Sequence, residues 1–329
     1  MTQVKDIGEL GLLNKLQRFC PREIIGDDGA VIVTDSKQSL VVTTDVLVDG
    51  VHFSNVTTSP EDAGWRAAAA NLSDLAAMGA SPLGITVGLA LPGDRAVSWV
   101  ERLYEGMTSC LEKYHTPIVG GDIVRSPITT ISITAFGQAY PDQIIRRNTA
   151  QVGDTIVVTG AHGASHAGLQ LLLHPHLRQG LDDLQQNALI NAHQRPKPRL
   201  DLLPILRQVM PSLPISGMDS SDGLADAIVQ ICRASGVGAV IETSKISVPT
   251  SFHYWLTPEK ALEYALYGGE DFELVLCLPQ TAANTLVPQL QTLNSDTAVI
   301  GTITEGEQVL IQNQAQKNPV LERGFQHFG

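Results

Sequence analysis

The residues of this chain whose types and spacing could do chemistry are its aspartates. Asp28 lies in Gly26-Asp27-Asp28-Gly29, Asp45 closes Thr43-Thr44-Asp45, and Asp74 follows Asn71-Leu72-Ser73. Asp122 ends Gly120-Gly121-Asp122, and Asp219 and Asp222 share Asp219-Ser220-Ser221-Asp222-Gly223. Each stands beside Gly, Ser or Thr, the setting in which a loop at the end of a sheet holds a ligand. Mg2+ takes carboxylate, hydroxyl, carbonyl and water oxygens, and it bridges protein carboxylates to phosphates. With the hydroxyls of Thr43, Thr44 and Ser221 alongside and no Cys/His ligand set, these acids point to a site of several Mg2+ ions that handles phosphates. Phosphoryl transfer is mostly positioning and charge neutralisation, which such a site supplies.

Taken singly, several of these residues have a plainer reading. Gly26-Asp27-Asp28-Gly29 is a good turn, Asp45 ends a strand, and Ser221 or Asp222 would serve as the N-cap of a following helix. Asp74 resists such a reading. In an alanine-rich helix beside Leu72 and Leu75, a partly buried carboxylate needs a partner. One cation site explains the whole set.

The usual nucleotide signatures are missing. There is no GxxxxGK[ST], Asp271-Phe272-Glu273 lacks the glycine of a kinase metal loop, and Gly160-Ala161-His162-Gly163 fails the dinucleotide spacing. ATP would then be held through metal and a few cations, with Arg146 and Arg147 as candidates or else as an exposed pair between domains. His162, His166, His174 and His176 find no carboxylate to complete a zinc set and read as a polar helix face. His52, in Asp49-Gly50-Val51-His52-Phe53, stands close to the acids. It could contact a substrate phosphate or simply shape its loop.

These residues need elements to position them. Residues 6–20 place Ile7, Leu10, Leu13, Leu16 and Phe19 at helical spacing. Runs at 30–34 and 40–44, separated by Asp35-Ser36-Lys37-Gln38, predict two strands, the second leading to Asp45. Ser59-Pro60-Glu61-Asp62 is a helix start, and that helix should run to Met78, where Gly79 stops it. Its alanines (Ala67 to Ala70, Ala76, Ala77) let another element approach closely. Strands near 83–91, 117–119 and 129–138 and a helix near 95–115 follow.

A second unit begins at Gln151-Val152-Gly153-Asp154. It opens with a strand at 155–159, a helix ending at Leu173 and a proline-broken helical stretch over 174–214. Beyond it come a strand at 213–218, a helix at 222–235, strands at 239–243 and 272–278, a helix at 279–293, and strand pieces at 298–303 and 309–311. The pattern predicts an α/β (α+β) chain of two domains, residues 1–140 and 141–329.

Composition narrows the partners. The 329 residues include 22 Lys and Arg against 34 Asp and Glu, a net charge of −12. That excludes a nucleic-acid grip, which needs clustered cations to displace counterions from phosphates. No stretch approaches 18 uncharged apolar residues, so no membrane span is expected. Cys20, Cys110, Cys232 and Cys277 form no CxxC pair, and the acidic start does not read as a signal peptide, so the expectation is a cytoplasmic protein.

The ordered set of motifs resembles the thiamine-monophosphate kinase family. The likeness is carried by Gly26-Asp27-Asp28-Gly29-Ala30-Val31, by Thr43-Thr44-Asp45 with Asp49-Gly50-Val51-His52-Phe53, and by Asn71-Leu72-Ser73-Asp74-Leu75-Ala76-Ala77-Met78-Gly79-Ala80. It continues through Gly120-Gly121-Asp122, Asp219-Ser220-Ser221-Asp222-Gly223-Leu224 and Gly268-Gly269-Glu270-Asp271-Phe272-Glu273-Leu274. Gly29 departs from the alanine more usual in that family. The resemblance implies an N-terminal α/β domain that binds Mg2+ and ATP and pairs with its copy in a homodimer, and a C-terminal α/β domain that covers nucleotide and substrate. It implies transfer of the ATP γ-phosphoryl group to thiamine monophosphate, giving thiamine diphosphate and ADP.

Carried over by position, Asp28, Thr43, Thr44, Asp45, Asp74, Asp122, Asp219 and Asp222 are the implied Mg2+ ligands. Tyr104, Gly121, Asp122, Arg146 and Ser221 are the implied nucleotide contacts, and His52, Glu270 and Phe325 the implied thiamine-phosphate contacts. The attacking phosphate oxygen is already anionic at neutral pH, so no residue is expected to act as general base. Two other readings stay open at this point. A related synthetase would use another acceptor; the selenophosphate enzymes usually carry a reactive Cys or selenocysteine in an N-terminal loop, whereas here only Cys20 is near, at a helix end. A nucleotide-sensing module would be expected to have lost some of the acids, and this chain keeps them.

Overall fold

The structure is a computed structural model that describes residues 2–21, 32–211, 215–293, 296–314 and 316–321. The chain divides into two units, one made of Met1–Leu75 with Ala80–Ala139 and the other of Ala76–Gly79 with Tyr140–Gly329. Asp28 and Phe325 lie outside the described residues, as do Ala30 and Val31 of the first expected strand.

In the first unit, α1 (Val4–Leu16), β1 (Ser39–Val48), α2 (Pro60–Ala77), β2 (Ser81–Leu91), α3 (Val97–Leu111), β3 (Ile118–Arg125) and β4 (Thr130–Ala139) follow in chain order. The strands form a sheet in the order β1-β4-β2-β3, with only the β2/β3 pair parallel. Period-two alternation gives this sheet two different faces. Ile131, Ile133, Ala135, Val87 and Leu89 are buried on one, whereas Leu40, Val42 and Val46 on the other are 54%, 53% and 47% exposed.

Helix α2 begins where its capping signature says. The Ser59 hydroxyl accepts the Asp62 N–H at 3.1 Å and donates to the Asp62 carboxylate at 2.7 Å. Its close approach to α3 depends on two glycines more than on the alanines. A Cβ on Gly64 would stand 1.9 Å from the Leu103 carbonyl oxygen, and one on Gly106 would stand 1.9 Å from that of Glu61.

Three expectations for this unit are corrected. Gly8, at φ +66°, interrupts α1, so the buried residues are Leu12 and Leu16 while Leu10 is 76% exposed. Residues 32–34 form no strand, and Val33 there is 86% exposed. The strand expected at 117–119 continues to Arg125, which puts Gly120-Gly121-Asp122 inside β3.

The second unit contains β5 (Thr155–Val158), α4 (Ala164–Leu173), α5 (Asp183–Gln194), α6 (Leu203–Val209), β6 (Ser216–Asp219), α7 (Leu224–Ser235) and β7 (Gly238–Glu242). It continues with α8 (Phe252–Trp255), α9 (Pro258–Tyr267), β8 (Leu274–Leu278), α10 (Gln280–Leu290), β9 (Ala298–Thr304), β10 (Val309–Asn313) and β11 (Gln316–Pro319). Among the described residues the strands form a mixed sheet in the order β11-β10-β7-β9-β5-β8-β6, with β7 and β10 parallel.

Strand β8 is buried along its whole length, and the apolar stripe of α7 (Leu224, Ile228, Ile231) packs in the same core. Ala167, Leu171, Leu189, Phe252 and Tyr264 make a separate helical cluster. Helix α9 had a legible start that the sequence reading passed over: Pro258 stands at its first turn and the Thr257 hydroxyl accepts the Lys260 N–H. Among the described residues, no helix is long and apolar enough to cross a membrane.

Candidate active site

In the first unit, strand alternation sorts the predicted ligands. Thr43 and Asp45 share the face of β1 that buries Val41 and Leu47. On α2, the Asp74 carboxylate accepts the Thr43 hydroxyl, which answers the need for a partner that the sequence raised. Asn71 lies one turn earlier on the same helix and is fully buried. Its amide N–H donates to Ala67, and its Oδ1 has no hydrogen-bond partner. An oxygen-only set of this kind, with one buried acceptor left open, fits a hard cation such as Mg2+. No three His, Cys, Asp or Glu side chains gather as a metal cage among the described residues.

The other predicted residues of this unit lie elsewhere. Thr44 points to the opposite face, where its hydroxyl donates to the Ile133 carbonyl at 2.8 Å and meets the Thr134 hydroxyl at 3.1 Å. Asp122 is exposed on β3 in register with Gly88, which pairs in turn with Ser132 on that same outer face. Gly121 has to be glycine, since a Cβ would stand 2.3 Å from the Val87 carbonyl oxygen. The His52 Nδ1 accepts the Val48 N–H at 3.0 Å, which fixes the imidazole against the end of β1. Tyr104, at 5% exposure and with its ring 5.6 Å from that of Phe19, packs into the interior of the unit.

In the second unit, Asp219 ends β6 at 3% exposure and accepts the Ser221 hydroxyl at 3.0 Å. Neither Ser221 nor Asp222 caps α7. That position belongs to Gly223 at φ +114°, with no side-chain cap. The loop before β8 lies against this turn: Gly269, Glu270 and Phe272 are left-handed, and the Glu270 N–H donates to the Ser221 carbonyl at 2.7 Å. The Glu270 carboxylate is 3.5 Å from the Nδ1 of His193.

Two further acids of that loop anchor it. Asp271 closes the N-terminus of α4, accepting the N–H groups of Gly163 (2.7 Å) and Ser165 (3.0 Å). Burial pushes its carboxyl up to about 7, although both donors favour the charged form. Glu273 pairs with Arg199 at 2.6 Å and accepts the Thr159 hydroxyl at 2.5 Å. Burial raises this carboxyl and Arg199 draws it back toward the carboxylate.

The arginine pair separates. Arg147 donates to Gln230 at 2.8 Å, whereas Arg146 is tied by its backbone to Ser216 and Gly217 and leaves its side chain exposed. The polar helix face expected of the four histidines is corrected for His162 and His166, while His174 and His176 are exposed just past α4. His162 precedes α4 and is fully buried, and His166 stacks edge-on against Tyr264 with centroids 4.5 Å apart. Sequence reasoning assigned no role to Asn71, Asp271, Glu273, Arg199 or His193. A second and third acid directly after Gly268-Gly269-Glu270 was a signal for part of this set, but nothing local marks Arg199 or His193.

The model of the AIR synthase related protein N-terminal domain matches residues 26–139, and that of the C-terminal domain matches residues 151–312. The thiamine-monophosphate kinase of Synechococcus elongatus is 51% identical over 329 residues, covering 99% of this chain and 98% of that one. The chain belongs to the thiamine-monophosphate kinase family. Solved structures agree with that placement. The crystal structure of thiamine-monophosphate kinase from Stenotrophomonas maltophilia K279a is 31% identical with a TM-score of 0.79, covering 93% of this chain and 95% of that one. The structure of AaThiL complexed with AMPPCP and TMP is 33% identical with a TM-score of 0.74, covering 98% and 99%. The family inferred from the aspartate motifs is the one matched, and its members are kinases of this two-domain α/β fold.

Proposed function

We propose that this chain phosphorylates thiamine monophosphate with ATP, giving thiamine diphosphate and ADP by direct in-line transfer. The observation that carries the reading is likeness over nearly the whole chain to AaThiL, whose structure holds AMPPCP, an analogue of ATP, together with TMP. The acceptor's phosphate oxygen is anionic at neutral pH, so the protein's task is to bind and align two anions, and no general base is needed. Mg2+, when bound, neutralises charge on the phosphates and stabilises what develops during transfer.

Thr43, Asp45 and Asp74 are the proposed ligands on the helix-covered face, with Asp28, Asp122, Asp219 and Asp222 completing the carboxylates. Gly121, Asp122, Arg146 and Ser221 contact the nucleotide, and His52, Glu270 and Phe325 the thiamine phosphate. Thr44 and Tyr104 keep their place in the proposed set, as a further Mg2+ ligand and a further nucleotide contact. The exposed apolar face of the first unit's sheet supports a homodimer. The four cysteines, which stay free, support a cytoplasmic setting.

A coupled ADP-release assay with Mg2+, ATP and a panel of thiamine monophosphate, thiamine and aminoimidazole precursors tests the reading. ADP release that requires thiamine monophosphate is the expected result. Release only with a different acceptor overturns it.

A further inference from the structure

The turn Gly160-Ala161-His162-Gly163 has no part in the proposed chemistry, yet it touches both acidic loops of the second unit. His162 is fully buried. Its Nδ1 lies 3.1 Å from the Gly160 carbonyl oxygen, which only accepts, so Nδ1 carries the proton and donates. Nε2 is left to accept the Ser220 hydroxyl 3.2 Å away. Burial pushes the imidazole down to about 4, which keeps this neutral tautomer at neutral pH.

Ser220 is itself fully buried and is held at two more points. Its N–H donates to the Glu273 carbonyl at 2.9 Å, and its carbonyl accepts the Gly223 N–H at 3.1 Å. Asp219 precedes it, and Ser221 and Asp222 follow. The same stretch of chain anchors the other loop, through Gly163 and Ser165 to Asp271 and through Thr159 to Glu273.

We infer that His162 is a positioning residue that fixes Ser220 and, through it, aims Asp219 and Asp222 at the Mg2+ of the bound nucleotide. The inference rests on the proposed ligand roles of those two aspartates. A ligand's supporting hydrogen bonds set its orientation, and losing one typically weakens metal affinity about 10–100-fold.

The test uses the full chain saturated with ADP, with Mg2+ affinity read by titration calorimetry beside thermal unfolding and imidazole 15N NMR. His162→Phe and Ser220→Ala should each weaken Mg2+ binding about 10–100-fold. Because both variants remove the same His162–Ser220 hydrogen bond, the double variant should be no weaker than the worse single one. His162→Gln, whose amide offers both a donor and an acceptor, should recover most of the affinity. The wild-type His162 signal should be that of the Nδ1–H tautomer.

Ser220→Ala removes only a hydroxyl and keeps the test open if His162→Phe does not fold. Variants that melt earlier but bind Mg2+ as tightly as the wild type overturn the inference alone, as does an Nε2–H tautomer. A wild-type ADP complex that binds no Mg2+ overturns the ligand reading and this inference together.

Discussion

Arg199→Met should be among the most damaging single changes in the second unit, although nothing in its local sequence says so. Arg199 is 4% exposed, and its guanidinium donates to Glu273 at 2.6 Å and to the Thr159 carbonyl at 3.1 Å and meets Asp201 at 3.1 Å. Thr159 O keeps a second donor, the Thr297 hydroxyl at 3.0 Å, so the main loss falls on Glu273. That carboxylate would be left buried with the Thr159 hydroxyl as its remaining side-chain donor, and Gly160 packs so close that a Cβ there would stand 2.3 Å from Oε1.

Removing one partner of a buried pair costs about 3–5 kcal/mol, which is a large share of a domain's stability. Amide hydrogen exchange along β8, the strand that Glu273 leads into, reads this as a drop of about that size in opening free energy at pH 7. The pH dependence has a definite sign. Burial already holds the Glu273 carboxyl above its unfolded value of about 4.3, and losing Arg199 raises it further, so the deficit is small below that value and grows as pH rises. Adding Glu273→Leu should recover most of the loss, since an apolar pair of similar volume is tolerated where a lone charge is not. A loss below about 1 kcal/mol for Arg199→Met, or a double variant worse than the sum of the singles, would refute this account of the network.

Other outcomes are expected. Asp45→Asn, Asp74→Asn and Asp122→Asn should each abolish thiamine-monophosphate phosphorylation while thermal melts stay near wild type. The amide oxygen that Asp74→Asn introduces still offers Thr43 an acceptor, so full activity in these variants would sink the metal reading. Gly106→Ala forces a methyl to within 1.9 Å of the Glu61 carbonyl oxygen and should cost about 1–3 kcal/mol or more, read by denaturant unfolding. Val42→Lys, on the exposed face of β1, should shift the chain from dimer to monomer in light scattering, and an unchanged mass would exclude that face as the interface.

Two buried groups should act oppositely on stability as pH changes. Asp271 is raised from 3.8 to about 7 in the fold, so its contribution is complete below pH 4 and is lost as pH rises through 7. His162 is lowered from 6.5 to about 4, so its contribution is complete above pH 6.5 and is lost as pH falls through 4. Melting curves of Asp271→Asn should therefore fall more steeply on acidification than those of the wild type, and those of His162→Gln less steeply.

The sequence alone carried the family and the two-part α/β organisation. Gly-flanked acids, a Ser-Pro helix start and Val-rich strands are local signals, because turns, caps and pleats are built from neighbouring residues. Asp74 was legible as a carboxylate needing a partner, but that the partner is Thr43 depends on β1 facing α2. Only the tertiary structure decided which face each proposed ligand takes. Thr43 and Asp45 alternate onto the buried side of β1, whereas Thr44, one residue away, and Asp122, on another strand, lie on the opposite side of the sheet. Tyr104 looked equally available in sequence and is buried, because α3 turns it toward Phe19. Asp271 and Glu273 gain their roles from an α4 N-terminus and an Arg199 that lie far off in the chain. A residue's type fixes which bonds it can make, and packing across distant segments decides which ones it does make.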